Sequence, residues 1–263
     1  MGTGDSGLDG ATSDGHSASA PIPQPLVPSP CISVIIPALN EAAGIGATLA
    51  SVAQQTGAME VIVADGGSTD GTPEAVHRAM PEARVITPGR GRARQMNAGA
   101  EAASGDVLLF LHADTHLPPG ALAAVRSEIG RPGVVGGCFR TRFAGPGAES
   151  PWMRLWEARI WMRWWRLAFG DRAPFVSREA FRAIGGFRQQ PLFEDLDLVR
   201  DLRQRGRFVF LDEAVETSAR RFGKNGALGQ QLRNLALWSA WNVGVDPDRL
   251  ARHYPAHQPS RSE

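Results

Sequence analysis

The feature that constrains the fold most is a repeated order of apolar strand, polar turn and amphipathic helix in the first part of the chain. Short, mostly apolar runs that each lead into a polar segment lie at residues 32–37, 60–65 and 106–111. Helical patterns lie at residues 41–55, 72–80 and 92–103, and a short strand lies at 84–87. Strands that are apolar on both faces and alternate with helices are typical of a parallel sheet. We therefore predict an α/β fold with a Rossmann-like, mostly parallel sheet and helices on both faces.

The second part of the chain is less regular. The predicted elements are, in order, a helix at 120–129, a long strand at 134–143, a tryptophan-rich helix at 151–168, a strand at 174–177, helices at 178–184 and 194–204, and short strands at 207–211 and 215–219. C-terminal helices follow, the last with Asp246 as N-cap and Pro247 in its first position. No internal repeat is visible, so we predict one domain with a regular and an irregular half.

Composition excludes several classes of protein. The formal net charge of +1 offers no general attraction to nucleic acid. Residues 1–30 lack both lysine or arginine and an apolar run, so we predict a disordered tail rather than a signal peptide. No segment has the roughly 18 consecutive apolar residues of a membrane span. The two cysteines lie in apolar strand patterns, which favours a reduced, cytoplasmic protein.

Polar residues follow three of the predicted parallel strands, where the strands end. These segments are Pro37 to Glu41, Asp65 to Asp70, and His112 to Asp114. Ligands of open parallel sheets bind at the carboxyl ends of the strands. A carboxylate after the second strand can accept a hydrogen bond from a nucleobase or from a ribose hydroxyl. Asp114 offers a hard oxygen ligand to Mg²⁺ or Mn²⁺ bound to a diphosphate.

The motifs in this order resemble family 2 of the glycosyltransferases, which are inverting enzymes with a GT-A fold. The matching segments are residues 33–41, 65–72, 94–99, 111–114, 185–187 and 194–195. The resemblance covers residues 31–222. Three segments, 170–175, 192–197 and 220–222, also resemble a bacterial subgroup of the family that is named for arsenosugar biosynthesis.

The resemblance implies a nucleotide-sugar donor, with a UDP-sugar favoured, and a set of donor-binding residues. The set comprises Pro37, Asn40, Glu41, Asp65, Gly66, Arg90, Arg94, Asp114 and Arg221. Asp65 is expected to reach uracil or ribose, while Arg90 and Arg94 lie near a helix start that favours phosphate. Asn40 is also the predicted N-cap of the helix at 41–55.

The metal motif of the family is usually Asp-x-Asp, and here it reads His112-Ala113-Asp114. Asp114 matches the metal-binding aspartate. The role of His112 stays open between a structural histidine, a nucleotide contact and a metal ligand.

By the same resemblance, Asp195 is the general base that takes the proton of an acceptor hydroxyl. Glu194 is expected to orient the acceptor or to share the proton. A structural alternative is that both acids only stabilise the N-terminus of a helix.

The implied division of the chain has four parts. They are a disordered tail at 1–30, a nucleotide-sugar-binding half at 31–118, an acceptor-binding and catalytic half at 119–222, and C-terminal helices with a tail at 223–263. For the tryptophan-rich helix the sequence leaves three interpretations open: core packing, an acceptor wall or dimer interface, or contact with the inner face of the membrane.

Two other functions compete with glycosyl transfer. A sugar-phosphate nucleotidyltransferase shares the sheet and the metal aspartate, but such enzymes generally begin with a Gly-rich, basic phosphate loop where this chain has Pro37 to Glu41. A catalytically degenerate nucleotide-sugar-binding protein is suggested by His112, whereas the intact Glu194–Asp195 pair argues against it.

Overall fold

The computed structural model describes residues 1–2, 30–145, 148, 170–218 and 227–252. Its strands are β1 (Ile32–Ala38), β2 (Met59–Asp65), β3 (Arg84–Ile86), β4 (Val107–Phe110), β5 (Thr115–His116), β6 (Val134–Ala144), β7 (Phe175–Ser177) and β8 (Arg207–Ser218). Its helices are α1 (Ile45–Ala53), α2 (Thr72–Ala79), α3 (Arg92–Ala102), α4 (Ala121–Ile129), α5 (Arg178–Ala183), α6 (Glu194–Arg203), α7 (Ala227–Asn242) and α8 (Pro247–Ala251), with a 3₁₀ turn at Gly170–Arg172.

The described strands form one sheet in the order β3-β2-β1-β4-β7-β6-β8-β5. Strands β1 to β4 pair in parallel, as do β6 and β8. Strand β7 runs antiparallel to both of its neighbours, and β5 runs antiparallel to β8. The sheet is therefore mostly parallel with an irregular second half, as the sequence predicts.

The core lies on both faces of the sheet. Along β1, Val34 and Ile36 pack with Leu49 of α1 and Val125 of α4 on one face. Ile35 points to the opposite face, which is covered by α3, α5 and α6. Successive side chains of a strand alternate between its faces, so a strand buried on both sides is mostly apolar.

Close packing of α3 on this second face requires a glycine. A Cβ atom on Gly99 would lie 2.3 Å from Ile35 Cγ2, closer than any normal contact. The glycine therefore allows the backbone of α3 to lie against the central strand β1.

Two predictions about local structure are wrong. Asn40 does not cap α1, which begins at Ile45 after Gly44. Asn40 adopts a left-handed conformation with φ of 55°, and its Oδ1 accepts from the N–H of Thr69, because the neighbouring loop offers a donor at that point. The short strands predicted at 207–211 and 215–219 form one strand, β8, whose pairing with β6 is irregular between Phe210 and Ala214.

The predicted start of the last helix is confirmed, since the Asp246 side chain accepts from the N–H of Asp248 and Pro247 follows it. The tryptophan-rich helix at 151–168 lies outside the described residues. In the described part of the chain, no helix combines the length and the apolar character that a membrane crossing demands.

Candidate functional site

The strand register brings the polar segments together at one edge of the sheet. Strand β1 lies between β2 and β4, with Ala38 opposite Asp65 and Ile35 opposite Phe110. The N–H of Leu111 donates to Ile35 O. The backbone of Pro37, two residues further along β1, is directed toward the same neighbouring strand, β4, as the backbone of Ile35. Because proline has no N–H, Pro37 cannot continue the ladder, and the pairing of β1 with β4 ends at Ile35 and Phe110.

The loops after β1 and β2 are joined by hydrogen bonds in both directions, since the N–H of Thr69 donates to Asn40 Oδ1 and three N–H groups of the first loop donate to the second. The N–H of Asn40 donates to Ser68 Oγ at 2.8 Å, and the N–H of Glu41 donates to Thr72 Oγ1 at 2.9 Å. The N–H of Ala42 donates to Asp70 Oδ2 at 3.0 Å. Both loops are thus held as one unit.

The Asp70 carboxylate is stabilised in its charged form by the loop. Burial, the largest single influence, would raise the pKa of Asp70. Hydrogen bonds from Thr72 Oγ1 and from the N–H groups of Ala42 and Thr72 together outweigh it, so the pKa lies below its usual value.

Asp65 lies deeper, with 3% of its surface exposed. Its Oδ2 accepts from the N–H groups of Gly67 and Ser68 at 2.9 Å each, and its Oδ1 accepts from Ser68 Oγ at 2.5 Å. A carboxylate has about four acceptor positions, so one position remains for a ligand. Asp65 therefore shapes the loop, and its predicted contact with the nucleoside stays a prediction.

Gly66 leaves no room for a side chain beneath the loop. A Cβ atom there would lie 3.2 Å from Nε2 of Gln95 and 3.4 Å from Ala38 O. The buried Gln95 side chain was not identified from the sequence, because the motif at 94–99 gives no sign of which residues point inward.

In the segment after β4, His112 and Asp114 are half-buried, and Ala113 between them is buried. Thr48 Oγ1 of α1 donates to Ala113 O at 2.7 Å, which fixes the backbone of this segment. The described residues contain no group of three or more His, Cys, Asp or Glu arranged to hold a metal ion.

The acid pair Glu194 and Asp195 forms the first turn of α6 and is buried, with 1% and 6% of the residue surface exposed. Arg92 Nε of α3 forms an ion pair with Glu194 Oε1. The other oxygen, Oε2, is buried without a hydrogen-bond partner in the described part of the chain. Arg92 was missed by sequence reasoning, since 102 positions separate it from Glu194. The ion pair joins the two halves of the domain.

Arg90 and Arg94 are exposed around the start of α3, as predicted. Gly91, which precedes the helix, has no side chain to cap its first N–H groups. A helix N-terminus with free N–H groups and nearby arginines attracts anions. Arg221 lies outside the described residues.

Comparison with known proteins places this arrangement in a family. The model of the family described as "Glycosyl transferase family 2" matches residues 33–191, more than half of the chain. The chain belongs to glycosyl transferase family 2. The prediction of a glycosyltransferase is confirmed at the level of the family, and the matched segment includes both loops and the His112–Asp114 segment.

Relatives in this family resemble part of the chain. A PGL/p-HBAD biosynthesis glycosyltransferase of Mycobacterium bovis is 41% identical over 109 residues, which are 39% of this chain and 43% of that protein. The beta-monoglucosyldiacylglycerol synthase of Synechocystis sp. is 28% identical over 193 residues, 65% of this chain and 40% of that protein. The chain thus matches less than half the length of these relatives. The narrower arsenosugar resemblance stays a prediction.

Solved structures confirm the predicted GT-A fold. The mannosyltransferase PcManGT from Pyrobaculum calidifontis, in complex with GDP-Man and Mn²⁺, gives a TM-score of 0.66 at 22% identity and covers 84% of this chain and 67% of its own. Residues 1–349 of S. aureus TarS, in complex with UDP-GlcNAc, give a TM-score of 0.56 at 18% identity and cover 71% of this chain and 58% of their own. Identities this low carry the fold alone.

Proposed function

We propose that this chain transfers a sugar from a nucleoside-diphosphate sugar to an acceptor hydroxyl, with inversion at the anomeric carbon. The supporting observation is the Arg92–Glu194 ion pair, which holds the buried acid pair beside the start of α3. The solved relatives bind GDP-Man in one case and UDP-GlcNAc in the other. We favour a UDP-sugar, on the resemblance of the motifs.

The charges around the start of α3 suggest a division of labour among three arginines. The Arg92 guanidinium is balanced by Glu194, whereas Arg90 and Arg94 are exposed to solvent. The diphosphate would therefore bind Arg90, Arg94 and the first N–H groups of α3. The joined loops that carry Asn40, Glu41 and Asp65 would bind the nucleoside.

The ligand atoms of the segment after β4 suit a divalent cation. Asp114 offers a half-buried carboxylate, the oxygen ligand that Mg²⁺ and Mn²⁺ prefer. A single carboxylate leaves most coordination positions to the donor's phosphates and to water, with His112 as a candidate second ligand. When bound, such an ion stabilises negative charge on the departing diphosphate.

Asp195 would act as the general base. It would take the proton of the acceptor hydroxyl while that oxygen bonds to the anomeric carbon, and the bond to the diphosphate would break on the opposite face. Burial of Asp195 and Glu194 keeps water away from the reacting atoms. Glu194, held by its ion pair with Arg92, would orient the acceptor or share the proton.

The experiment is an assay of UDP release from UDP-glucose and UDP-galactose with Mg²⁺ or Mn²⁺, for the wild type and Asp195→Asn. Loss of the base should lower turnover by at least about 100-fold and leave donor affinity unchanged. Asp201→Asn, on the same helix and more exposed, is the matched control. Turnover retained in Asp195→Asn would contradict the assignment of the base. Pyrophosphate release from UTP and a sugar phosphate would identify a nucleotidyltransferase instead.

The cytoplasmic location, an oligomer through the tryptophan-rich helix and peripheral contact with the membrane remain proposals from the sequence. Size-exclusion chromatography and co-sedimentation with anionic vesicles test the last two.

A further inference from the structure

We infer that Gln95 is a positioning residue, which sets the geometry of the donor-binding loops from beneath the sheet; this inference rests on the proposed function. Gln95 lies on α3, which covers the second face of the sheet, and 5% of its surface is exposed. Its side-chain amide donates to the backbone of β1 and β2, so we expect it to act on the donor site through these strands.

Both hydrogens of the Gln95 amide are used at the strand ends. Nε2 donates to Ala38 O at 2.8 Å and to Ala64 O at 2.7 Å. Ala38 and Asp65 form the last pair of the β1–β2 ladder, and the N–H of Gly66 also donates to Ala38 O. The amide therefore bridges the two strands at their last two pairs, immediately before both loops leave the sheet.

The chemistry of this position favours glutamine over residues of similar size. A neutral group with two hydrogens on one nitrogen matches two carbonyl oxygens. Glutamate would place an oxygen against both carbonyls, and methionine would fill the space without donating. Each carbonyl keeps a second acceptor position for the backbone, so the loss of the amide loosens the strand ends without leaving an orphaned group.

The effect would reach the donor through the joined loops. Asn40 and Glu41 are bonded to Ser68 and Thr72 of the opposite loop. A shift between Ala38 and Ala64 therefore changes the spacing of both loops at their base. Sites held on rigid elements lose affinity when that support loosens.

The chain offers a matched control in Gln55. This glutamine is also buried, with 7% exposed, and its Nε2 donates to Ser51 O at 3.1 Å and to Pro118 O at 3.0 Å. Its Oε1 also accepts from the N–H of Leu122 of α4 at 3.3 Å, so its bonds join α1 to α4 and to the segment before it, and none of them reaches the ends of β1 and β2. Gln95→Met and Gln55→Met thus remove the same group from two buried places, and only one of these places supports the loops.

The experiment is isothermal titration calorimetry of the wild type and both variants with UDP and with GDP, each with Mn²⁺, alongside thermal unfolding. Gln95→Met should raise the Kd of the nucleotide that the wild type binds by about tenfold, the effect of losing two neutral hydrogen bonds that support the bound state. Gln55→Met should keep the Kd within about twofold of the wild-type value, although it should lower the Tm about as much as Gln95→Met does.

Two results separate the inference from the proposed function. If the wild type binds a nucleotide and the two variants bind it equally well, Gln95 is a structural residue only and the inference is wrong. If the wild type binds neither nucleotide, the proposed function fails, and the inference fails with it.

Discussion

Replacing Arg92 by methionine tests whether the ion pair between α3 and α6 holds the two halves of the domain together. Methionine keeps much of the length and packing of the arginine stem but removes its charge. The substitution leaves Glu194 buried, with 1% of its side chain exposed, and without its cation. We expect a clear loss of stability.

The magnitude follows from the exposure of the two partners. Removing one partner of a fully buried pair costs about 3–5 kcal/mol. The Arg92 side chain is 38% exposed, so water screens part of the interaction. We therefore expect a cost of about 2 kcal/mol. For a domain of this size that cost lowers the Tm by roughly 4–8 °C.

The assay is urea unfolding of the wild type, Arg92→Met, Glu194→Gln and the double variant, which together form a thermodynamic cycle. A coupling energy of about 1–2 kcal/mol is expected, because the neutral amide of the double variant needs no cation. Arg94→Met, an exposed neighbour on the same helix, should change stability by less than about 0.5 kcal/mol. Additive effects of Arg92→Met and Glu194→Gln, or an equal loss in Arg94→Met, would refute the reasoning.

Two further predictions concern packing and pH. Gly99→Ala should destabilise the protein by about 1–3 kcal/mol, since the new Cβ would meet Ile35 Cγ2 at 2.3 Å. A Cβ atom on Gly229, in α7, would meet no atom within 4 Å, so Gly229→Ala should be neutral or stabilising. An equal loss of stability in the two variants, measured by urea unfolding, would exclude the clash. The lowered pKa of the Asp70 carboxyl stabilises the folded protein at any pH above the pKa that this group has in the unfolded chain. That stability is lost as the pH falls through the lower pKa of the folded protein. Asp70→Asn should therefore lose less stability than the wild type as the pH falls from about 5 to about 2, and a loss equal to that of the wild type would count against this account.

Much of the donor side could be predicted from local patterns. The runs at 32–37, 60–65 and 106–111 are mostly apolar because strands buried on both faces have no solvent-facing side, and that property is visible in the sequence. The polar segments after them had to converge, since parallel strands end at the same edge of a sheet. The positions of Pro37, Asp65 and Asp114 follow from that rule alone.

The contacts that organise the site could not be predicted in this way. Arg92 and Glu194 are 102 residues apart, and nothing in either motif identifies the other as its partner. Asn40 looks like a helix cap by its neighbours along the chain, yet its side chain bonds to Thr69 because the second loop lies beside it. Gln95 differs in no local feature from an exposed glutamine.

The sequence by itself determined the alternation of strands and helices in the first half of the chain, the two-sided core and the edge of the sheet where the polar segments meet. The tertiary structure alone decided which carboxylate is paired, which amide supports the strand ends and where α1 begins. The physical reason is the separation along the chain over which each interaction acts. Periodicity and turn chemistry act between residues a few positions apart, whereas an ion pair or a buried hydrogen bond depends on how distant segments meet once the sheet has formed.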